Sequence, residues 1–262
     1  MSIQTIFVTE FRRELGSGRT KPCVFSCSDA NGNDVGEMVV KLRGGMETPA
    51  LGSFAEYTCS LLARYLGIAC AEPFLVDIDA ALSHAIPQTD TAERVRKSIG
   101  LNFATTYLRH GLSEWIPTAK LTAQERPQAL NIFAFDAFIQ NIDRHTGKPN
   151  LLVKNDALTV IDHELAFSFA LALFPRKKIW RVQHDDWLRK HIFFRHLQHS
   201  SPDWNALNKK FQQMHTESIA EKIITSVPSA WSDTHTDKVL PHLQAMLTHT
   251  DEFFHDLNIL LL

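Results

Sequence analysis

The chain has 262 residues, 44% of them apolar, a formal net charge of −2 and four cysteines. That length and apolar share allow a substantial core within one domain of two lobes, and the near-neutral balance gives no electrostatic footing for direct nucleic-acid binding. No apolar run approaches the roughly eighteen residues of a membrane-spanning helix, and the first twenty carry charges where a secretion signal would have an apolar core, so a cytoplasmic protein without membrane contact is expected.

Residues 3–11 alternate as a strand, and Leu15, Gly16, Ser17, Gly18 and Arg19 follow as a small-residue loop. Residues 23–27 read as a second strand, and Asn31, Gly32 and Asn33 turn the chain into a third at 37–42. There Met38, Val40 and Leu42 share one face, Val39 and Lys41 the other. Taken alone, the glycines read as a flexible turn and Lys41 as a solvated strand lysine. An amphipathic helix is expected from Ser53 to Leu66, stopped by Gly67. Ser53 and Glu56 have capping-box spacing, which gives Glu56 a ready role at the helix start. An edge-like strand follows at 71–78, beginning near Pro73, and 101–108 reads as the last strand of this half. Between them, residues 80–100, with Arg94, Arg96 and Lys97, read as a solvated surface loop, a lid or substrate loop being the other reading.

In the second half, Leu130, Phe133, Ala134, Ala137, Phe138 and Asn141 recur at helical spacing, so a buried helix ends just before Asp143. Two apolar arms, 151–154 and 158–161, flank Asn155, Asp156 and Ala157 as a hairpin. Pairing in register sets Leu151 opposite Ile161 and Lys154 opposite Leu158, which brings Asn150 and Asp162 side by side. Phosphoryl transfer needs a carboxylate to orient and deprotonate a hydroxyl, together with hard oxygen donors for magnesium on the phosphates. Any one of Asp143, Asn150 and Asp162 alone reads as an ordinary turn or cap residue; their order around a helix end and a hairpin marks a metal and phosphate constellation. Beyond residue 165, 203–227 and 236–259 read as two helices around Pro228, Ser229, Ala230 and Trp231. The cysteines are expected to be free and mostly buried, and His184, His191, His196 and His199, which fit no zinc spacing, to take surface or capping roles.

The run Phe-Asp-Ala-Phe-Ile-Gln-Asn-Ile-Asp-Arg-His, then Pro-Asn-Leu-Leu, then Ile-Asp-His-Glu-Leu-Ala-Phe resembles the HipA-like kinases, in particular their compact branch without the longer toxin's extra N-terminal domain. More distantly it is similar to the Asp-Arg-His catalytic loop of phosphatidylinositol kinases. The resemblance implies an α+β, bilobal protein-kinase-like fold: a small β-rich lobe with one main helix to about residue 109, and a larger helical lobe from about 110 containing the catalytic hairpin. It implies ATP and Mg2+ as cofactors, Asp143 as catalytic base, Asp162 as the metal-binding aspartate and Asn150 as the second metal ligand. In kinase order, Gly16, Ser17 and Gly18 would cover the triphosphate and Lys41 would contact its α- and β-phosphates. Glu56 then gains a second reading, as the ion-pair partner that positions Lys41.

Two departures stand out. The usual kinase spacing places the metal-binding Asn five residues after the catalytic Asp; here Lys148 holds that place and Asn150 comes two residues later. Either the loop carries two extra residues, or the second metal is held differently and Lys148 touches a phosphate. His163 and Glu164 replace the Phe-Gly of the ordinary kinase motif. The resemblance further implies a protein serine or threonine as acceptor, and a toxin role with an antitoxin partner; a small-molecule kinase and a nucleotide-binding pseudokinase acting as an interaction module are the alternatives. Ser17 is a candidate autophosphorylation site, since added negative charge there would oppose nucleotide binding.

Overall fold

The computed structural model describes residues 3–16, 21–86, 89–108, 111–172, 176–232 and 235–262. Its N-terminal part is a closed barrel of β1 (Thr5–Glu14), β2 (Cys23–Ser28), β3 (Asp34–Lys41), β4 (Pro73–Ile78) and β5 (Gly100–Thr106), in the order β1-β2-β3-β5-β4. The strand period decides what lies inside it. Met38 and Val40 of β3 pack with Ile6, Phe25, Val76 and Ala104 in the barrel interior, whereas Val39 and Lys41 line a cleft outside it. β1 and β4 close the barrel as a parallel pair, with Ile6 opposite Val76. β4 is therefore not the edge strand expected: it has neighbours on both sides, and Pro73 is tolerated as its first residue.

α1 (Pro49–Leu66) starts four residues before Ser53. Pro49 occupies the first helical position, where a missing N–H is no loss, and Gly67 ends the helix at φ 77°, in the left-handed region. Ser53 and Glu56 thus lie in the helix interior, which removes the capping-box reading of Glu56. The helix is buried over nearly its whole circumference, and Phe54, Tyr57, Leu61 and Leu62 belong to the core of the C-terminal helices rather than to the barrel. Tyr57 meets Trp231 edge-on at 6.4 Å and donates its hydroxyl to the Ser226 carbonyl at 3.0 Å.

Residues 80–100 also depart from the expected surface loop. They form a 3₁₀ turn at Ala80–His84 and the helix α2 (Thr89–Arg96), whose Ala92 and Val95 pack on the barrel core. Arg94 donates to the Lys21 carbonyl at 2.7 Å and pairs with Glu14. The polar face of this short helix outnumbers its two apolar anchors, which is why its sequence resembles a loop.

A second sheet holds β6 (Ser113–Glu114), β7 (Leu151–Lys154) and β8 (Ala157–Val160), and α3 (Glu125–Ile139) runs between β6 and β7. The hairpin exists but its register is one residue off the expected one: Leu151 faces Val160 and Lys154 faces Ala157. The turn takes only Asn155 and Asp156, with φ of 47° and 61°, so Ala157 joins the ladder. Two-residue hairpin turns require such positive φ values, and Asn and Asp tolerate them. The Val160 amide also donates to the Ala69 carbonyl at 2.9 Å, stitching the hairpin to the segment that leads into β4.

The remaining helices are α4 (Phe194–Leu197), α5 (Asn205–Thr216), α6 (Ile219–Thr225), α7 (Ser229–Ser232), α8 (Thr236–Thr248) and α9 (Thr250–Leu261). Each of the two long helices expected here is split, at Ser218 with φ 52° and at His249. The breaks let Phe211 and Met214, Ile223 and Ile224, and Leu257 and Leu260 all turn into one core. Cys23, Cys27, Cys59 and Cys70 are free, and the first three are buried. No helix among the described residues is long and apolar enough to cross a membrane.

His242 of α8 lies flat on Phe169 with ring centres 3.7 Å apart, and its Nε2 has no hydrogen-bond partner. Burial, with Arg176 adding, pushes its pKa down from 6.5 to about 3. The unfolded chain takes up this proton near pH 6.5 and the folded chain does not until about pH 3. The contribution to stability is therefore complete above pH 6.5 and lost as pH falls towards 3. His242→Phe keeps the stack and removes the loss; urea titrations should show the variant about 2 kcal/mol better off at pH 5 than at pH 7.5, relative to wild type. Parallel pH profiles for the two proteins would contradict this account.

Candidate active site

Lys41 ends β3 on the cleft side, and Glu56 comes to it from the interior of α1. The Lys41 Nζ lies 2.6 Å from Glu56 Oε1 and 2.6 Å from Asp162 Oδ1, so one ammonium joins the barrel, α1 and the segment leaving β8. Glu56 Oε1 also accepts the His163 amide at 3.1 Å. Burial would pull the Lys41 ammonium below its ordinary pKa, but Asp162 and then Glu56 outweigh it and hold the group well above. Burial would likewise raise Asp162, but Lys41 outweighs it and holds the carboxyl well below the usual range. Glu56 is shifted upward, because burial exceeds the attraction of Lys41 and Asp162 adds repulsion. Together the three groups crowd two carboxyl groups and one ammonium into a confined space.

The residues after Asp162 differ from the ordinary kinase motif in structure as well as type. His163 is buried, edge-on to Phe135 at 6.0 Å, and burial with Arg144 pushes its pKa down to about 3. Glu164 is also buried, and burial lifts its carboxyl to about 7 against the pull of Lys41. α1 passes close above it because Gly52 has no side chain: a Cβ there would come within 2.9 Å of Glu164 Cγ.

Asp143 lies in the loop between α3 and β7. Its Oδ2 accepts from Lys148 Nζ and, at 3.1 Å, from Asn150 Nδ2. Between Asp143 and Asn150 the chain makes a tight turn: the His145 amide donates to the Lys148 carbonyl at 3.2 Å and the Lys148 amide to the His145 carbonyl at 2.9 Å. That turn absorbs Thr146 and Gly147 and returns Asn150 to Asp143. Asn150 and Asp162, with φ of 47° and 60°, flank the hairpin in the left-handed region that Asn and Asp tolerate best. The Ile161 amide bonds the Asn150 carbonyl at 3.1 Å, so the mouth of the hairpin stays closed despite the shifted register.

A buried network missed in the sequence holds this loop. Arg144 is fully buried; its Nε donates to Asp136 Oδ2 at 2.5 Å, and its Nη1 donates to the carbonyls of Asn150 and, at 3.3 Å, Ile161. Asp136, on α3, also receives Asn141 Nδ2 at 3.0 Å and lies 3.0 Å from His191 Nε2. Arg144 overcomes the effect of burial and, with His191, holds the Asp136 carboxyl down at about 2. His191 is therefore not the surface residue expected. The signal available in the sequence was Asp136 itself, a carboxylate among the apolar residues of a buried helix.

Lys41, Lys148, Asn150 and Asp162 line one cleft of about 400 Å³, whose apolar walls include Val39 and Leu152. Gly16 ends the described stretch after β1, and Ser17 and Gly18 lie outside the described residues. For a magnesium ion, Asp162 offers a carboxylate, and Asn150, which gives its Nδ2 to Asp143, keeps Oδ1 as a second hard oxygen. Few protein donors suffice where substrate phosphates and water complete an octahedron, so this donor set fits such an ion.

A family model described as HipA-like kinase matches residues 8–256. The chain belongs to the HipA-like kinase family. The crystal structure of a Helicobacter pylori proinflammatory kinase, CtkA, is similar in fold, with a TM-score of 0.54 over 94% of this chain and 95% of that one at 12% identity. At that identity the likeness concerns the fold alone. No curated protein sequence matches the chain. Family and fold together support a kinase.

Removing Arg144 from this HipA-like kinase would strand the Asp136 carboxylate in a dry core. Arg144→Leu is expected to lower stability by about 3–5 kcal/mol in urea denaturation. A cycle with Asp136→Asn should give a coupling above about 1 kcal/mol; additive losses would show that the two residues do not act as a pair.

Proposed function

We propose that this kinase uses ATP and magnesium to phosphorylate a serine or threonine of another protein in the cytoplasm. The observation that carries the reading is the convergence of Lys41, Glu56 and Asp162 on the same cleft as Asn150 and Lys148, with Asp143 bonded to both of the latter. A cleft of this size with an apolar wall and a cationic, acid-lined end suits a nucleoside triphosphate. In this reading Lys41, held by Glu56, contacts the α- and β-phosphates, and the loop containing Gly16, Ser17 and Gly18 covers them. Asp162 and Asn150 would hold magnesium, which would supply positive charge to offset that of the phosphates.

Asp143 orients the acceptor. Its Oδ2 is engaged by Lys148 and Asn150, while Oδ1 receives no hydrogen bond among the described residues and is left to take the acceptor hydroxyl's proton. Lys148 stands where it can balance charge on Asp143 or on the transferred phosphoryl group. Positioning and fixed charge supply most of the rate in such a site. The pseudokinase alternative drew on the displaced Asn150; the turn between His145 and Lys148, which leaves Asn150 bonded to Asp143, supports the catalytic reading. A growth-inhibiting toxin role with an antitoxin partner is part of the same proposal and rests on the family.

The test is label transfer from γ-labelled ATP with magnesium, followed together with ATP turnover and ATP binding. Asp143→Ala should cut turnover by about 10²–10⁴-fold while leaving ATP affinity within about threefold, and Asp162→Ala should abolish magnesium-dependent binding. Wild-type turnover in Asp143→Ala, or magnesium-independent ATP binding in the native chain, would sink the reading.

A further inference from the structure

We propose that the acceptor side of the cleft is a cationic surface that selects a serine or threonine flanked by acidic residues. The proposal rests on the protein-kinase reading above and adds the substrate class. The net charge of −2 conceals a strong segregation: residues 176–196 carry seven Lys and Arg against two Asp, a net +5 that leaves the rest of the chain at −7. Arg176 is paired with Asp185 and Arg181 with Asp256. The other five, Lys177, Lys178, Arg189, Lys190 and Arg195, are exposed and make no ion pair among the described residues. Asp185 is buried in its pair, so Asp186 is the exposed acid of the stretch.

Where this charge stands matters more than its amount. Directly after Arg189 and Lys190, His191 forms a β-bridge with His145, and the Ile192 amide donates to the Arg144 carbonyl at 3.1 Å. Arg144 and His145 are the two residues that follow Asp143. The 3₁₀ turn at Leu188–Lys190 is therefore joined to the backbone of the loop carrying Asp143. Arg195 follows on α4, and Arg126 of α3 adds another exposed guanidinium by donating to the His196 carbonyl at 3.0 Å.

These cations are mounted rather than trailing. Leu188, Phe193, Phe194 and Leu197 beneath them are buried, Trp115 packs edge-on against Phe193 at 5.2 Å, and the Arg189 guanidinium lies 5.7 Å above the Phe194 ring. A lysine run on a surface is ordinarily just solvated. Here a fixed base holds unpaired cations next to the loop that an acceptor hydroxyl must reach. An incoming acidic segment would replace water on charges with no internal partner, and the acidic remainder of the chain would disfavour its docking elsewhere. A protein segment is favoured over nucleic acid because three of the four Phe and Trp rings in this stretch are not offered for base stacking. Phe193 and Phe194 are buried, and Trp180 is covered by the His249 ring at 3.7 Å.

The experiment is fluorescence anisotropy with labelled peptides of one length, each carrying a single serine among acidic, neutral or basic residues. It uses the full chain with magnesium and a non-hydrolysable ATP analogue. The acidic peptide should bind about tenfold or more tightly than the neutral one in low salt, with the gap closing as salt rises. Arg189→Glu with Lys190→Glu should abolish that preference and favour the basic peptide, with thermal stability and Mg-ATP affinity unchanged; Arg195→Glu alone should produce a smaller shift. Equal binding of acidic and neutral peptides, a preference that survives the reversal, or tighter binding of a single-stranded RNA than of the acidic peptide would overturn the proposal. Absence of ATP binding with charge-selective peptide binding retained would instead remove the kinase reading and leave the peptide site standing.

Discussion

The rest of the site depends on the buried Arg144 guanidinium. One end is fixed to Asp136 on α3, and the other reaches two carbonyls, Asn150 and Ile161, one from each side of the hairpin mouth. Helix α3 and both sides of the hairpin mouth are thereby held by one rigid, multi-donor group, a task suited to a guanidinium and not to a lysine ammonium. The burden of burying the pair is met by filling its hydrogen-bonding capacity: Asp136 also takes Asn141 and His191. With the carbonyls fixed, the residues on either side of the mouth can hold left-handed backbone conformations that few other side chains would accept.

α1 does for the opposite wall of the cleft what Arg144 does for the hairpin. Its apolar side chains are packed among the C-terminal helices while its Glu56 carboxylate reaches the lysine at the end of β3. The barrel is thus referred to the helical core through an ion pair as well as by backbone bonds such as that between Val160 and Ala69. Because Glu56 also holds the His163 amide, moving α1 would disturb Lys41 and the Asp162 segment together. The geometry around Lys41 is in this way a property of the whole core.

Charge is arranged on the same plan. Buried ionic groups are matched within the site, Lys41 against two carboxylates and Arg144 against Asp136, while cations without an ion pair among the described residues stand beside the loop that carries Asp143. A kinase of this family needs a fixed, desolvated charge pattern for phosphates and a more adaptable one for whatever brings the hydroxyl. The first gains from burial, where the dielectric response is small; the second gains from exposure, where encounter and selection occur.

How much of this was legible in the chain follows from the range of each interaction. Strand alternation around Met38 and Val40 put Lys41 on the cleft side, and the pattern around Asn150 and Asp162 marked the hairpin, because both signals depend on residues a few positions apart. The hairpin register was missed by one residue, since Asn155 and Asp156 suffice for the turn and a composition of turn-formers does not say how many are used. The start of α1 was misplaced because Ser53 offers a cap that the buried helix, entered at Pro49, does not use. The splitting of the last helices answers to a shared core that no local period reports. The sequence by itself determined the family, the strands of the barrel and the presence of a buried helix followed by a hairpin, because each rests on residues a few positions apart. Only the tertiary structure decided that Lys41 meets Glu56 across 15 positions and Asp162 across 121, because an ion pair is selected by distance and desolvation in space, and neither is encoded by separation along the chain.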